Sequence, residues 1–246
     1  EIRHMLDNID EFGFTVSDIR MDINNITKRS RKVASQLSSG INHLLKKNKV
    51  KIFEGFGSLI KDTSNLKKIS IKKNDDVVTK SAKNIILATG ARSRNLPFVS
   101  ADGINIWDYK TAMTPPNLPS SLVIVGSGAI GVEFASFFAQ MGSEVSVLES
   151  KSTILPNEDL EVSNFVEKQF LNRGIKIYKN HSLLSLKEKG SLFEAELKSE
   201  DKMFSLEFEK AILAIGIVGN IENLNLEAVN INCSNGSIVV DDYCKT

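Results

Sequence analysis

Histidine, cysteine and tryptophan are scarce in this chain of 246 residues, with three, two and one of each. The two cysteines, Cys233 and Cys244, are too few for a disulfide framework and fit a reducing cytoplasm. His4, His43 and His181 are scattered, so they form no metal-ligand spacing, and all three read as surface or helix-face residues. No metal site is expected. An excess of one charge is missing too: 31 basic against 30 acidic residues leave +1 at pH 7, which points away from a nucleic-acid partner. The lysines are spread widely, and the pairs at 46–47, 67–68 and 72–73 read as solvated loops and helix ends. No apolar run reaches the roughly 20 residues of a membrane span, and the opening EIRHMLDNIDEFGF is charged and amphipathic, unlike a signal peptide. What remains is an ordinary globular composition, 41% apolar and 25% charged, enough to bury a sizeable core in one large or two small domains. The start without methionine, and the finish on IVVDDYCKT straight after an apparent strand, read as an internal piece of a longer protein.

Periodicity organises the chain. Ile2, Met5, Leu6 and Ile9 mark a one-faced helix closed by Gly13. A longer helix over about 22–48 carries Ile26, Val33, Leu37, Ile41, Leu44 and Leu45 on its apolar side. Residues 50–53 read as a short strand, 68–72 and 76–80 as a small antiparallel piece, and 85–88 as a fully apolar strand. The Pro-, Gly- and polar-rich text over 97–119 reads as a linker. The second half is more regular. One helix carries Ile130, Phe134, Phe137, Phe138 and Met141 and stops at Gly142; the helical spacing makes these aromatics core rather than a ligand box. A second helix over about 158–173 stops at Gly174, a strand follows at 175–178, then a meander over 183–208 and an apolar run at 211–215.

One stretch carries specific chemistry. Gly126, Gly128 and Gly131 stand as GxGxxG between the apolar run Leu122–Val125 and a helix, and a second apolar run ends on Glu149. A lone GxGxxG is weak, because a glycine turn in an unrelated α/β domain gives the same spacing. Here the strand, turn, helix and acidic residue of a dinucleotide site occur together. Gly126 would make the turn, Gly128 would let a pyrophosphate approach the amides, and Gly131 would let helix and strand pack closely. The helix N-terminus, with unpaired N–H groups and a positive dipole end, would face the phosphates. A carboxylate at Glu149 would accept the adenosine ribose hydroxyls and repel a 2′-phosphate, which favours NAD over NADP.

Further motifs occur in order. GFGSL (55–59), IILATGA (85–91), GSGAIGVEFA (126–135) and AILAIGIVGN (211–220) together resemble the flavin-dependent disulfide reductases, and within them the branch that reoxidises dihydrolipoyl groups. The resemblance runs along nearly the whole chain. It implies an α/β fold: a Rossmann-like NAD-binding domain, with a parallel sheet plus a β-meander, attached to a partial FAD-binding domain. It divides the chain into a partial FAD-binding domain (1–112), an NAD-binding domain (113–240) and the start of a return to the FAD domain (241–246). It places Gly126, Ser127, Gly128, Ala129, Ile130 and Gly131 at the NAD pyrophosphate, with Val132 also among the cofactor-binding residues. Glu149 then falls at the ribose, Leu183 near the adenine and Gly216 beside the nicotinamide half. Gly57, Thr89, Gly90 and Ala91 fall on FAD, with GFGSL as a backbone turn touching its adenine. Glu133 matches a glutamate that pairs with a lysine beside the flavin; the plain alternative is a first-turn acid on the helix dipole.

The resemblance also implies NAD and FAD as cofactors, a homodimer when intact, and lipoyl domains of 2-oxo acid dehydrogenase complexes as partners. No nucleic-acid or membrane partner is expected. A departure lies at Ile217-Val218-Gly219, where many relatives show a basic residue and a proline. A CxxxxC redox pair, a His–Glu base and a second GxGxxG do not occur in the chain, and Cys233 and Cys244 lie outside the family's motif. No catalytic residue is therefore expected here. The open alternatives are another NAD(H)-linked flavin reductase of this fold, such as a transhydrogenase or mercuric reductase, and, for this chain alone, an inert nucleotide-binding module.

Overall fold

The computed structural model describes residues 2–18, 20–61, 66–200 and 202–246. In chain order its elements are α1 (Ile2–Asp7), α2 (Ile23–Lys47), β1 (Phe56–Ile60), β2 (Lys67–Lys73), β3 (Asp76–Ala82), β4 (Ala91–Ser93) and β5 (Ile106–Trp107). There follow α3 (Tyr109–Ala112), β6 (Ser121–Val125), α4 (Ala129–Gln140), β7 (Glu144–Leu148), α5 (Leu160–Asn172) and β8 (Lys176–Tyr178). The last are β9 (Ser182–Lys189), β10 (Leu192–Ser199), β11 (Lys202–Phe208), β12 (Lys210–Leu213), β13 (Ile217–Gly219), β14 (Cys233–Ser234) and β15 (Ser237–Ile238). Two compact units divide the chain, residues 1–33 with 93–216 and residues 34–92 with 217–246.

The first unit is built on a five-stranded parallel sheet in the order β5-β12-β6-β7-β8. The two-residue alternation of a strand sends Leu122 and Ile124 of β6 to one face and Val123 and Val125 to the other. On the first face they meet Phe138 and Ala135 of α4, Phe170 of α5 and Trp107. On the second they meet Phe193, Ala195 and Leu197 of β10 and Phe208 of β11, from the antiparallel meander β11-β10-β9. Covered on both sides, β6 is apolar and almost fully buried from Leu122 to Val125, as a central parallel strand requires. Helix α4 ends because Gly142 takes φ +99, so the amides of Gly142 and Ser143 turn back onto the carbonyls of Ala139 and Phe138. Gly174, at φ +77, ends α5 the same way.

The run over 97–119 is not a linker. Asp102 Oδ1 accepts the amides of Ile104, Asn105 and Ile106, Asp108 caps α3, and the strand between them pairs with β12. Trp107 is 0% exposed and its indole N–H donates to the Ile104 carbonyl at 2.9 Å. Turn-forming composition marked the segment as irregular, but its aspartates satisfy the backbone and its tryptophan anchors it. The first helix is shorter than its periodicity suggested: α1 gives way to a 3₁₀ turn, Ile9–Phe12, before Gly13.

The second unit holds the three-stranded antiparallel sheet β1-β2-β3, the pair β13-β4 and the pair β14-β15. Its core is small: Leu59, Leu224 and Leu226, with Ile85, Leu87 and Ile221 against them. Two expected strands are absent. Residues 50–53 follow the left-handed Lys49 (φ +57) that caps α2, and have no ladder partner among the described residues. Ile85–Ala88 is likewise unpaired, with Ile85 and Leu87 turned to the core and Ile86 90% exposed. GFGSL is not a turn beyond Gly55: Phe56 to Leu59 are already in β1. Helix α2 forms where expected, with Asp22 accepting the amides of Asn24 and Asn25 at its start, and its apolar residues Leu37, Ile41 and Leu44 are exposed.

Candidate functional site

The glycine segment joins β6 to α4, and each of its three glycines answers a different demand. Gly126 takes φ +100, and a Cβ there would stand 2.5 Å from the carbonyl oxygen of Ala214, just after β12. A Cβ on Gly131 would stand 2.0 Å from the Gly126 carbonyl oxygen. Both positions are closed to any side chain by backbone. Gly128 is different. Its φ of −67° and ψ of −178° suit any residue, and no atom lies within 4 Å of where its Cβ would be. Nothing among the described residues asks for glycine there; open space in front of a helix N-terminus does. Gly128 is the N-cap of α4 and brings no side-chain cap, so the first-turn amides from Ala129 to Gly131 face outward from the loop. Such amides and the helix dipole form an anion site.

Glu149 follows β7 and is 7% exposed. Its Oε2 accepts the Ser127 amide at 3.0 Å and the Ser127 hydroxyl at 2.6 Å. Its Oε1 accepts the Lys151 amide at 2.9 Å and the Ser150 hydroxyl at 3.2 Å. Burial pushes this carboxyl up, but the Ser127 hydroxyl, the Lys151 and Ser127 amides and the Ser150 hydroxyl outweigh it and hold it below the usual carboxylate range. The group is therefore a fixed anion beside the glycine loop. Ser127 is 0% exposed, and its carbonyl accepts the amide of Leu155, a residue at φ +47. Sequence reasoning placed Glu149 but missed this lock, since no spacing rule ties the second residue of GxGxxG to the distant acid.

The other expected residues spread out. Val132 donates to the Gly128 carbonyl, and Ile130 packs on the core. Glu133 is exposed and lies in the second turn of α4, not the first. Leu183, in β9, is half-buried against the meander core. Gly216 has φ +110 with open space at its Cβ position, and its carbonyl accepts the Arg94 amide. His181 is not a plain surface residue: its amide donates to the Glu149 carbonyl and its ring packs edge-on to Phe204 at 4.7 Å. His43 is exposed on α2, and the side chain of His4 lies outside the described residues.

This strand–glycine loop–helix with its buried acid can be set beside known proteins. A family model described as pyridine nucleotide-disulphide oxidoreductase matches residues 3–246. The chain belongs to that family. It is 42% identical over 247 residues to a dihydrolipoyl dehydrogenase of Zymomonas mobilis, covering 100% of this chain and 52% of that relative. It is 36% identical to a dihydrolipoyl dehydrogenase of Rhizobium etli, covering 100% of this chain and 54% of the relative. The crystal structure of LpdA from Mycobacterium tuberculosis matches with a TM-score of 0.88 at 28% identity, over 98% of this chain and 52% of that one. The chain thus spans about half the length of the curated relatives it matches.

In the second unit, the residues expected at FAD divide. Asn220 donates its side-chain amide to the Thr89 carbonyl and its backbone amide to the Gly90 carbonyl, and Ala91 opens β4. Gly90 needs its glycine, at φ +73. Gly57 stands on β1, where a Cβ would press on Ile69 Cδ1 at 3.1 Å. Cys233 and Cys244 are both free and exposed. Among the described residues, no group of three or more His, Cys, Asp or Glu could hold a metal, and no helix is long and apolar enough to cross a membrane.

Proposed function

We propose that the first unit binds NAD(H) on the glycine loop, with Gly126, Gly128, Ala129, Ile130 and Gly131 around the pyrophosphate, Ser127 turned inward beneath it, Val132 in the helix behind it and Glu149 at the adenosine ribose. One observation carries this reading: among the described residues nothing imposes a steric or conformational demand on Gly128, yet it opens onto uncapped helix amides. The NAD-binding portion read over 113–240 shares residues 113–216 with the first unit, while 217–240 fall in the second. Leu183 lines the adenine end and Gly216 the nicotinamide end. Gly57, Thr89, Gly90 and Ala91 are the FAD-binding residues of the second unit. There the Thr89 and Gly90 carbonyls each accept one hydrogen bond from Asn220, which fixes the turn.

By likeness to its relatives, the whole protein is a dihydrolipoyl dehydrogenase, a homodimer acting on lipoyl domains of 2-oxo acid dehydrogenase complexes. When bound, FAD and NAD⁺ supply the electron transfer, taking two electrons from a dithiol by way of a protein disulfide. The residues of this chain bind and orient the nucleotide. No cysteine or histidine stands among these binding residues, and Cys233 and Cys244 lie outside the family's redox motif, so this chain alone is expected to turn over no dihydrolipoamide and to hold flavin weakly. The free cysteines fit a reducing, cytoplasmic setting.

Calorimetric titration tests the nucleotide assignment. NADH should bind more tightly than NADPH by about tenfold or more, because a buried-edge anion beside a 2′-phosphate costs several kcal/mol. Glu149→Ala should shrink that gap. Equal affinities in the unmutated protein would sink the assignment.

A further inference from the structure

We propose that Ser127 is a positioning residue that sets the NADH-over-NADPH preference by anchoring Glu149. This rests on the nucleotide-binding reading above and goes one residue further. Within the glycine loop, Ser127 directs all its polar groups inward: the amide and the hydroxyl both reach Glu149 Oε2, and the carbonyl takes the Leu155 amide at 2.9 Å. At 0% exposure, it has no polar group left for a phosphate. Two short donors on one oxygen fix the carboxylate's rotation, so Oε2 is committed to the protein. Oε1 is committed at only one of its two places, by the Lys151 amide at 2.9 Å; the other holds the hydroxyl of Ser150, an exposed residue, at 3.2 Å. A ribose hydroxyl can replace that longer contact without breaking the anchor. It would then meet an oxygen already aimed, with no side-chain freedom left to lose.

Ser127 thereby does two things to a dinucleotide without touching it. It holds Oε1 toward a hydroxyl donor, which favours NADH. It also stops the carboxylate swinging away from a 2′-phosphate, which keeps NADPH disfavoured. A residue that only stapled the loop shape would serve both nucleotides alike, because they share the pyrophosphate.

The test is calorimetric titration of the protein with NADH and NADPH, for Ser127→Ala, Glu149→Ala and the double variant. Ser127→Ala should weaken NADH about tenfold, as expected for losing a hydrogen bond to a charged group, while changing NADPH far less. In the Glu149→Ala background the same substitution should leave the NADH/NADPH ratio unchanged. If Ser127→Ala weakened both nucleotides by one factor, or neither, the proposal would be overturned. Should that variant not fold, Ser127→Cys keeps the volume with only a weak donor; an intermediate ratio is expected, and an unchanged ratio overturns the proposal. Failure of the unmutated protein to bind either nucleotide would strike the nucleotide-binding reading instead, so the two failures are distinguishable.

Discussion

Leu122–Val125 and Ile85–Ala88 are both apolar runs that lead into a glycine at positive φ, and their fates are opposite. The first is hydrogen-bonded on both edges, to β12 and β7, and none of its four side chains exceeds 6% exposure. The second is unpaired among the described residues, half-buries alternate side chains and leaves Ile86 90% exposed. The difference teaches that an apolar run states only a capacity for burial. Neighbouring strands that take its N–H and C=O groups turn the capacity into a rigid edge, and only such an edge can hold a loop at fixed geometry. The glycine loop after β6 is held that way.

The comparison breaks most visibly under truncation. Trp107→Ala, in the sheet of the first unit, should cost about 3–5 kcal/mol in urea unfolding, whereas Ile86→Ala should stay within about 0.5 kcal/mol. Comparable losses would mean the two runs are equally built in. Gly131→Ala comes next. Its Cβ would be driven into the Gly126 carbonyl at 2.0 Å, and a cost near 3 kcal/mol is expected from the same melts.

Gly128→Ala sharpens the contrast inside the loop. With no neighbour within 4 Å it should melt like the unmutated protein yet lose about tenfold in NADH affinity, a binding change of about 1.4 kcal/mol. A stability loss without a binding loss would contradict the role given to the open space. The smallest effect concerns acid. Glu149 is held below its ordinary 4.5, so the stability it contributes is present above that value and lost as pH falls through the lower folded value. Glu149→Gln should flatten the acid limb of a stability-against-pH curve below about 4.5, leaving the neutral region's slope alone. An unchanged acid limb would mean that the hydrogen bonds from Ser127 and Lys151 do not favour the charged form.

Much of the first unit was legible because its signals are local. The glycine spacing, the acid after a second apolar run, the helix stops at Gly142 and Gly174 and the alternation of the meander each fix an element without outside help. What failed depended on partners far away in sequence. Ile106–Trp107 looked like linker because its strand exists only through β12, more than 100 residues later. Ile85–Ala88 and residues 50–53 looked like strands because pairing cannot be read from a run. In the site, Gly126, Gly131 and Glu149 were legible from spacing, and the structure brings them together. Ser127 was not, because its hydroxyl's role depends on a carboxylate 22 residues away.

Hydrogen exchange with and without NADH reads the loop and both apolar runs at once. Leu122–Val125 should be protected throughout and Ile85–Ala88 should exchange fast. Addition of NADH should slow the amides from Ala129 to Gly131 and leave Ile85–Ala88 unchanged. If NADH left the loop amides unchanged, or slowed the two regions alike, the nucleotide would not be seated on this helix terminus and the account would be contradicted.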